Sequence, residues 1–379
     1  MSRPGILFAI IGLFGLILPL VQFKPNRIVA GQGIPLFSSF PDGAFFTGAL
    51  AIMLLAGCFG RWRAAWRLLA AALGLLAVVV ALGLAADHLP PPGNRLARVA
   101  PASGFWLLLL AFGLMLADAI SRLRPTLAQG WLILALAVAL GAGLLGSGLL
   151  DGVSVMREYA VRRDPFLHEA RTHLLLAFGS LALALLVGLP LGAAIFQRPR
   201  WRGPVLAVLN VLQTIPSLAL FGIMIPILGW VAATLPGAAR LGVSGIGIFP
   251  AMLALFLYSL LPVVSNTVAG LAGVPAPARE AAAGLGMTRH QILLQVLAPL
   301  ALPALLAAVR IVLVQNIGLA VIAGLIGGGG FGTFVFQGLN QTAMDLVLLG
   351  ALPTIALALL AGIVMDLLVQ LSKGGGQTA

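Results

Sequence analysis

The sequence predicts an all-α polytopic membrane protein, and three observations predict it. Of 379 residues, 61% are hydrophobic and only 8% charged, with a mean hydropathy of +1.11; an ordinary soluble domain carries about 25% charged residues. The apolar residues are gathered into runs of roughly 20, the length that crosses ~30 Å of hydrocarbon as a helix rising ~1.5 Å per residue. Alternating apolar–polar segments are absent, which argues against a transmembrane β-barrel.

Ten spans are expected. Met1 to Phe23 holds a single arginine, Arg3, ahead of a long apolar run. No small-x-small cleavage pattern follows promptly, so it reads as an uncleaved first span rather than a signal peptide. Further spans lie near 43–60, 68–86, 102–119 and 129–150, with Pro90 to Pro92 in a loop. Together, residues 1–150 form an N-terminal transmembrane domain with no motif of its own. Asp151 to Arg171 is dense in charge and reads as an external, amphipathic linker and a domain boundary. A core over 172–371 follows, with spans near 172–196, 204–229, 246–266, 299–325 and 346–371 and a long polar loop at 267–298; residues 372–379 form a tail. The uncharged stretch 203–239 is too long for one span and contains Pro216, Pro226 and Pro236, so a broken helix or a re-entrant piece is expected there.

The net charge of +12 fits arginines collected at membrane edges better than a nucleic-acid surface. If the loop around Glu280 is cytoplasmic and the spans alternate, both termini are cytoplasmic. Twelve of the 22 Lys and Arg then lie inside, among them Arg61, Arg63 and Arg67, and nine lie outside, among them Arg27 and Arg95. Short loops carry most of that bias, where the rule applies best.

The core is organised around Glu280 to Pro299, EAAAGLGMTRHQILLQVLAP, the long polar interruption late in the chain. Pro277 suits a helix start, and Glu280 is expected in the first turn, where its charge favours the helix dipole. Ala281, Ala282 and Ala283 are strong helix formers without bulk. Gly286 suits a left-handed position ending the helix, and Thr288 with Gln291 can form a capping box for the next. The product is a small, smooth helix followed by a rigid corner, a shape for docking another protein; an ordinary helical hairpin is the plainer reading.

This stretch resembles the EAA motif of bacterial ABC-importer permeases, E-A-A-x3-G-x9-I-x-L-P. The matches are Glu280, Ala281, Ala282, Gly286 and Pro299; Val296 and Ala298 replace the Ile and Leu. The resemblance implies a MetI-like five-span permease core in which this segment couples to a cytoplasmic ATPase.

Two intramembrane features are candidates for the solute path. QTIPSLAL, Gln213 to Leu220, sets Gln213, Thr214, Pro216 and Ser217 inside a span. Either it bends a helix that lines a path, or it kinks a structural helix whose hydroxyls bond their own backbone. Arg310 is the full charge deep in a span, followed by Gln315 and Asn316. A charge there faces a cavity or a partner, so Arg310 and Asn316 either line the path or anchor neighbouring helices. Other chemistry finds no support. IGGGGFGT, 326–333, has no preceding strand and no lysine after it, so it is not a phosphate loop. Cys58 has no disulfide or metal partner, and His88, His168, His173 and His290, assigned to loops or span edges, form no cluster.

QTIPSLALFG, AAVRIVLVQNIG (307–318) and IAGLIGGGGFG (322–332) are similar to quaternary-amine permeases. Val309, Ile311, Val312, Gly328 and Phe331 depart mildly from that family's usual residues. The resemblance covers roughly 168–371. It implies a bacterial inner-membrane permease importing glycine betaine, choline or a similar osmoprotectant, not itself an enzyme. It implies no cofactor on this chain, with ATP and Mg held by partner ATPase subunits. A second permease subunit, identical or not, and a periplasmic or lipid-anchored substrate-binding protein complete the expected assembly, in membrane lipid and without nucleic acid. Two readings stay open at this point: an ABC permease for another solute such as an amino acid, and an ATP-independent secondary transporter.

Overall fold

The computed structural model describes residues 3–26, 29–58, 64–94 and 96–374. Arg27, Arg61, Arg63 and Arg95 of the charge count, and the tail beyond 374, lie outside the described residues. The chain divides into two compact units, Met1–Val161 and Arg162–Ala379.

The first unit opens with α1, Arg3–Ile17, of 15 residues. Pro19 disfavours helix in the residue before it, and the chain passes into β1, Pro19–Lys24. The span expected through Phe23 is therefore a shorter helix and a strand. β2 (Gln32–Pro35) pairs antiparallel with β1, ahead of α2 (Gly43–Cys58) and α3 (Ala64–His88). β3 (Arg98–Pro101) pairs with the other edge of β1, in the order β2-β1-β3. This sheet is an addition to the all-α expectation. Its strands are four to six residues long, too short for alternation to show in sequence. α4 (Ser103–Leu123) packs on α1 and α3. Gly74 permits the α3–α4 approach, since a Cβ there would sit 2.2 Å from the fully buried Phe112 ring. At the same ends of these helices Arg67, 2% exposed, meets Asp118 at 2.8 Å, and Arg122 meets it at 2.9 Å. α5 (Leu127–Gly146) begins with a Thr126–Gln129 capping box and has no buried residue. α6 (Ser154–Val161) rests on β3, with Arg157 donating to the Ala97 carbonyl at 2.8 Å.

The second unit begins with α7, Arg163–Gln197, of 35 residues. The later part of the expected 151–171 linker is thus the first turns of a long helix. α8 (Pro199–Thr214) and α9 (Ser217–Thr234) are separated at Ile215–Pro216, so the stretch 203–239 holds a broken helix, as expected. α10 (Ile248–Ala272) lies at the centre, against α7, α8, α9 and α13. α11 (Ala276–Gly284) and α12 (Arg289–Gln291) lead through a π-helical stretch, Ile292–Leu297, into α13 (Ala298–Leu319). α14 (Gly332–Asn340) and α15 (Met344–Gly374) complete the unit. Among the described residues eight helices are long and apolar enough to cross a membrane, and α1 and α2 are shorter apolar helices.

The α7–α10 seam explains how this core holds together without water to drive helices apart from lipid. Such packing relies on small residues that let backbones approach. Ala177, Ser180, Ala184, Gly188 and Gly192 are buried along one face of α7. A Cβ on Gly188 would fall 2.7 Å from Val263 Cγ1, and one on Gly192 would fall 2.6 Å from Thr267 Cβ. Gly192→Val should therefore destabilise the protein by about 1–3 kcal/mol through overpacking. Gly203→Val, on α8 with open space around it, should not. Thermal unfolding of the two variants in detergent checks this, and equal midpoints would refute the seam.

Candidate coupling loop and translocation path

The loop after α10 folds as its local sequence dictates. Pro277 stands at the second position of α11, tolerated because early helical N–H groups lack intrahelical partners. The helix begins at Ala276, so Glu280 lies one residue further in than expected, just past the first turn, and its side chain is exposed. Gly286 ends the helix with φ +79°. Its N–H donates to Ala283 O at 3.0 Å and that of Met287 to Ala282 O at 3.2 Å, the paired bonds of a Schellman ending. Thr288 and Gln291 then form a reciprocal capping box, with N–H bonds of 2.8 and 3.3 Å. Ala282 is 4% exposed and anchors α11 in an apolar cluster with Leu271, Ile292, Leu293 and Leu297. Ala281 and Leu285 face outward, Leu285 at 83% exposure. Pro299, exposed, starts α13. Beside α11, Arg202, Arg279 and Arg289 line a pocket of about 430 Å³.

The proline bend is tied to α10. Gln213 Nε2 donates to the Tyr258 carbonyl at 3.1 Å, and the Tyr258 hydroxyl donates to the Ile215 carbonyl, freed by the break before Pro216. Thr214 bonds back to Val211 O at 2.7 Å, the self-satisfied arrangement of a structural kink. Ser217, partly buried, opens α9. Tyr258 was not anticipated, although one of only two tyrosines in the chain, set mid-span, was a signal.

Arg310 and Asn316 do not share a face. Six residues at 3.6 per turn place them about 120° apart, and the structure separates them accordingly. Asn316 is fully buried. Its Nδ2 donates to Ser180 Oγ of α7 at 2.9 Å, and its Oδ1 accepts from Ser259 Oγ of α10 at 3.0 Å. Of the two readings, this placement matches the anchor: an amide in hydrocarbon must find protein partners, and this one finds them between three helices. Arg310 pairs with Asp366 of α15, both side chains 44% exposed. The bend and α13 do not touch each other through these polar groups. They are joined through α10, whose consecutive residues Tyr258 and Ser259 serve one each.

The glycine-rich loop is held from α7. Gly327, Gly329 and Gly330 have φ of +72°, +75° and +81°. Gly330 N–H donates to Glu169 Oε2 at 2.5 Å and Phe331 N–H to His173 Nδ1 at 3.4 Å. His173 is thus a fully buried residue of α7, at the start of that helix's apolar run. Among the described residues no group of His, Cys, Asp and Glu could hold a metal ion.

Residues 181–373 match the family described as binding-protein-dependent transport system inner membrane component, and the chain belongs to that family. Residues 2–156 match the N-terminal domain of ABC transporter permease YehY. Over 187 residues the chain is 40% identical to the osmoprotectant import permease protein OsmW of Salmonella typhimurium, covering 49% of this chain and 82% of that one. Over 199 residues it is 35% identical to the glycine betaine/carnitine/choline transport system permease protein OpuCB of Bacillus subtilis, covering 52% and 84%. A solved structure of inward-facing MetNI, a methionine ABC transporter, aligns at 25% identity and TM-score 0.48 over 55% of this chain and 95% of that one.

The buried amide defines a test. Asn316→Leu should lower stability by about 0.5–2 kcal/mol, the range for interhelical hydrogen bonds in membranes. Ser180 and Ser259 retain bonds to Leu176 O and Leu255 O, which limits the loss. A lower unfolding midpoint is the expected reading; an unchanged midpoint with transport abolished would return Asn316 to the path.

Proposed function

We propose that this chain is the permease subunit of an ATP-driven importer for a small quaternary-amine osmoprotectant such as glycine betaine or choline. The observation that carries this reading is the rigid, exposed corner at 276–291, built for docking, in a chain of a binding-protein-dependent transport family. The names of the relatives favour an osmoprotectant over an amino acid. In this reading Glu280, Ala281, Ala282 and Gly286, with the outward Leu285 and the basic rim of Arg202, Arg279 and Arg289, meet a cytoplasmic ATPase subunit. Pro299 sets the direction in which α13 leaves the corner. ATP and Mg reside on that ATPase.

The assembly has two permease subunits, from this chain twice or with a homologue, and a periplasmic or lipid-anchored protein that captures solute. It sits in a bacterial inner membrane with both termini cytoplasmic. The region 1–150 serves assembly or regulation, and the path belongs to the core after residue 171.

Gly286→Arg should abolish uptake and ATPase co-purification while membrane insertion stays normal, because a side chain is strained at φ +79° and its bulk and charge obstruct docking. Uptake at the normal rate would remove the coupling assignment. Cysteines placed across 43–150 should show no protection by solute; protection there would move the path into the N-terminal region.

A further inference from the structure

The Arg310–Asp366 contact is the feature that the coupling and anchoring roles leave unexplained. Both side chains are 44% exposed on spans α13 and α15. Hydrocarbon offers an ion pair no hydrogen bonds, so its open side faces water or protein.

A groove of about 520 Å³ lies along the same two helices, with its lining reaching to within one helical turn of each member of the pair. Ala307, three residues before Arg310, and Val369, three after Asp366, both line it, and three residues along a helix share a face. Lys373, in the last turn of α15, also lines it, so the groove runs on to the end of that helix. Gly270 and Ala304 leave room in its wall, and Asn266 adds a polar group. An opposed pair of charges therefore stands about one helical turn from an open, small-walled groove.

We propose that Arg310 and Asp366 form a transit site for a zwitterionic solute: its carboxylate on the Arg310 guanidinium and its quaternary ammonium against the Asp366 carboxylate. The proposal rests on the osmoprotectant reading above. A bare guanidinium would repel an ammonium, but Asp366 cancels that repulsion and supplies the complementary charge. Glycine betaine carries its opposite charges one methylene apart, which suits two protein charges in direct contact. The solute exchanges one internal ion pair for two with itself. Partly exposed pairs are weakly held, so the exchange is shallow, as passage requires: a site must bind well enough to admit and weakly enough to release. Choline has the ammonium without the carboxylate, so the two halves of the pair are separable by substrate.

The test is uptake of glycine betaine and choline by cells lacking other importers, producing the full chain with its ATPase and binding protein. Arg310→Gln should cut glycine betaine uptake about fivefold, the scale of a partly exposed charge pair, and choline uptake far less. Asp366→Asn should reduce both. Arg310→Lys, which keeps the charge, should retain betaine uptake within about threefold of wild type. The double variant Arg310→Gln/Asp366→Asn leaves no unpaired charge in the membrane, so it keeps the test open where a single variant fails to insert; it too should lose betaine uptake. Equal losses of both solutes in Arg310→Gln, or wild-type betaine uptake in the double variant, overturn the site alone. If wild type does not carry choline, Arg310→Lys and Arg310→Gln are compared on betaine, and equal losses overturn it. A wild type that imports neither solute overturns the osmoprotectant reading, and this site with it.

Discussion

The core depends on one turn of α10. The bilayer interior supplies no water, so a polar group there must be satisfied by protein. Tyr258 and Ser259, adjacent in sequence, meet that demand in two directions. Tyr258 holds the broken helix at Ile215 through its hydroxyl and accepts Gln213 on its carbonyl. Ser259 holds Asn316, which reaches Ser180. Four helices, α7, α8, α10 and α13, are thereby fixed in register by Gln213, Tyr258 and Asn316, whose polar ends find partners on neighbouring segments. Each bond is modest, about 0.6 kcal/mol on average in membranes. Their value lies in selecting one packing among several that apolar surfaces alone would permit.

The second constraint is the glycine-rich loop. Three glycines in left-handed conformation turn successive N–H groups toward α7, where Glu169 and His173, one turn apart, accept them. Only glycine adopts such a run without strain, and a Cβ on Gly329 would stand 2.9 Å from Glu169 Oε2. Phe166 lies against Phe331 and Phe334, at 5.4 and 6.1 Å between ring centroids, so the contact is sealed by aromatic packing. The rings touch one another and leave no space for an ammonium group between them. What resembles a nucleotide loop in letters is an anchor for the α13–α14 connection.

What the sequence could show divides by range. The coupling corner was legible because all its determinants act within a few residues: Gly286 closes onto Ala283, and Thr288 onto Gln291. The break at Pro216 was legible for the same reason, since proline removes a donor wherever it stands. The partners of Asn316 lie 57 and 136 positions away, and that of Arg310 lies 56 away. Nothing local distinguishes an asparagine bound for a helix seam from one bound for a path. The three-stranded sheet escaped because its pairing joins Phe23 to Gln32 on one side and to Val99 on the other.

A docking helix transmits movement only if its connection to the membrane helices is stiffer than the interface it joins. Here the corner has no soft joint. The Schellman bonds close α11, the capping box opens α12, and the stretch Ile292–Leu297 runs on without a loop into α13. Ala282, Ile292, Leu293 and Leu297 bury the inner side against Leu271 of α10. Displacement of α11 therefore moves the start of α13, and α13 carries Arg310 against Asp366. The same helix thus connects the outward face of α11 to the Arg310–Asp366 pair, so a shift imposed at Leu285 bears on the geometry of that pair. That mechanical continuity, rather than any single residue, is what the proposed coupling of α11 to solute passage would use.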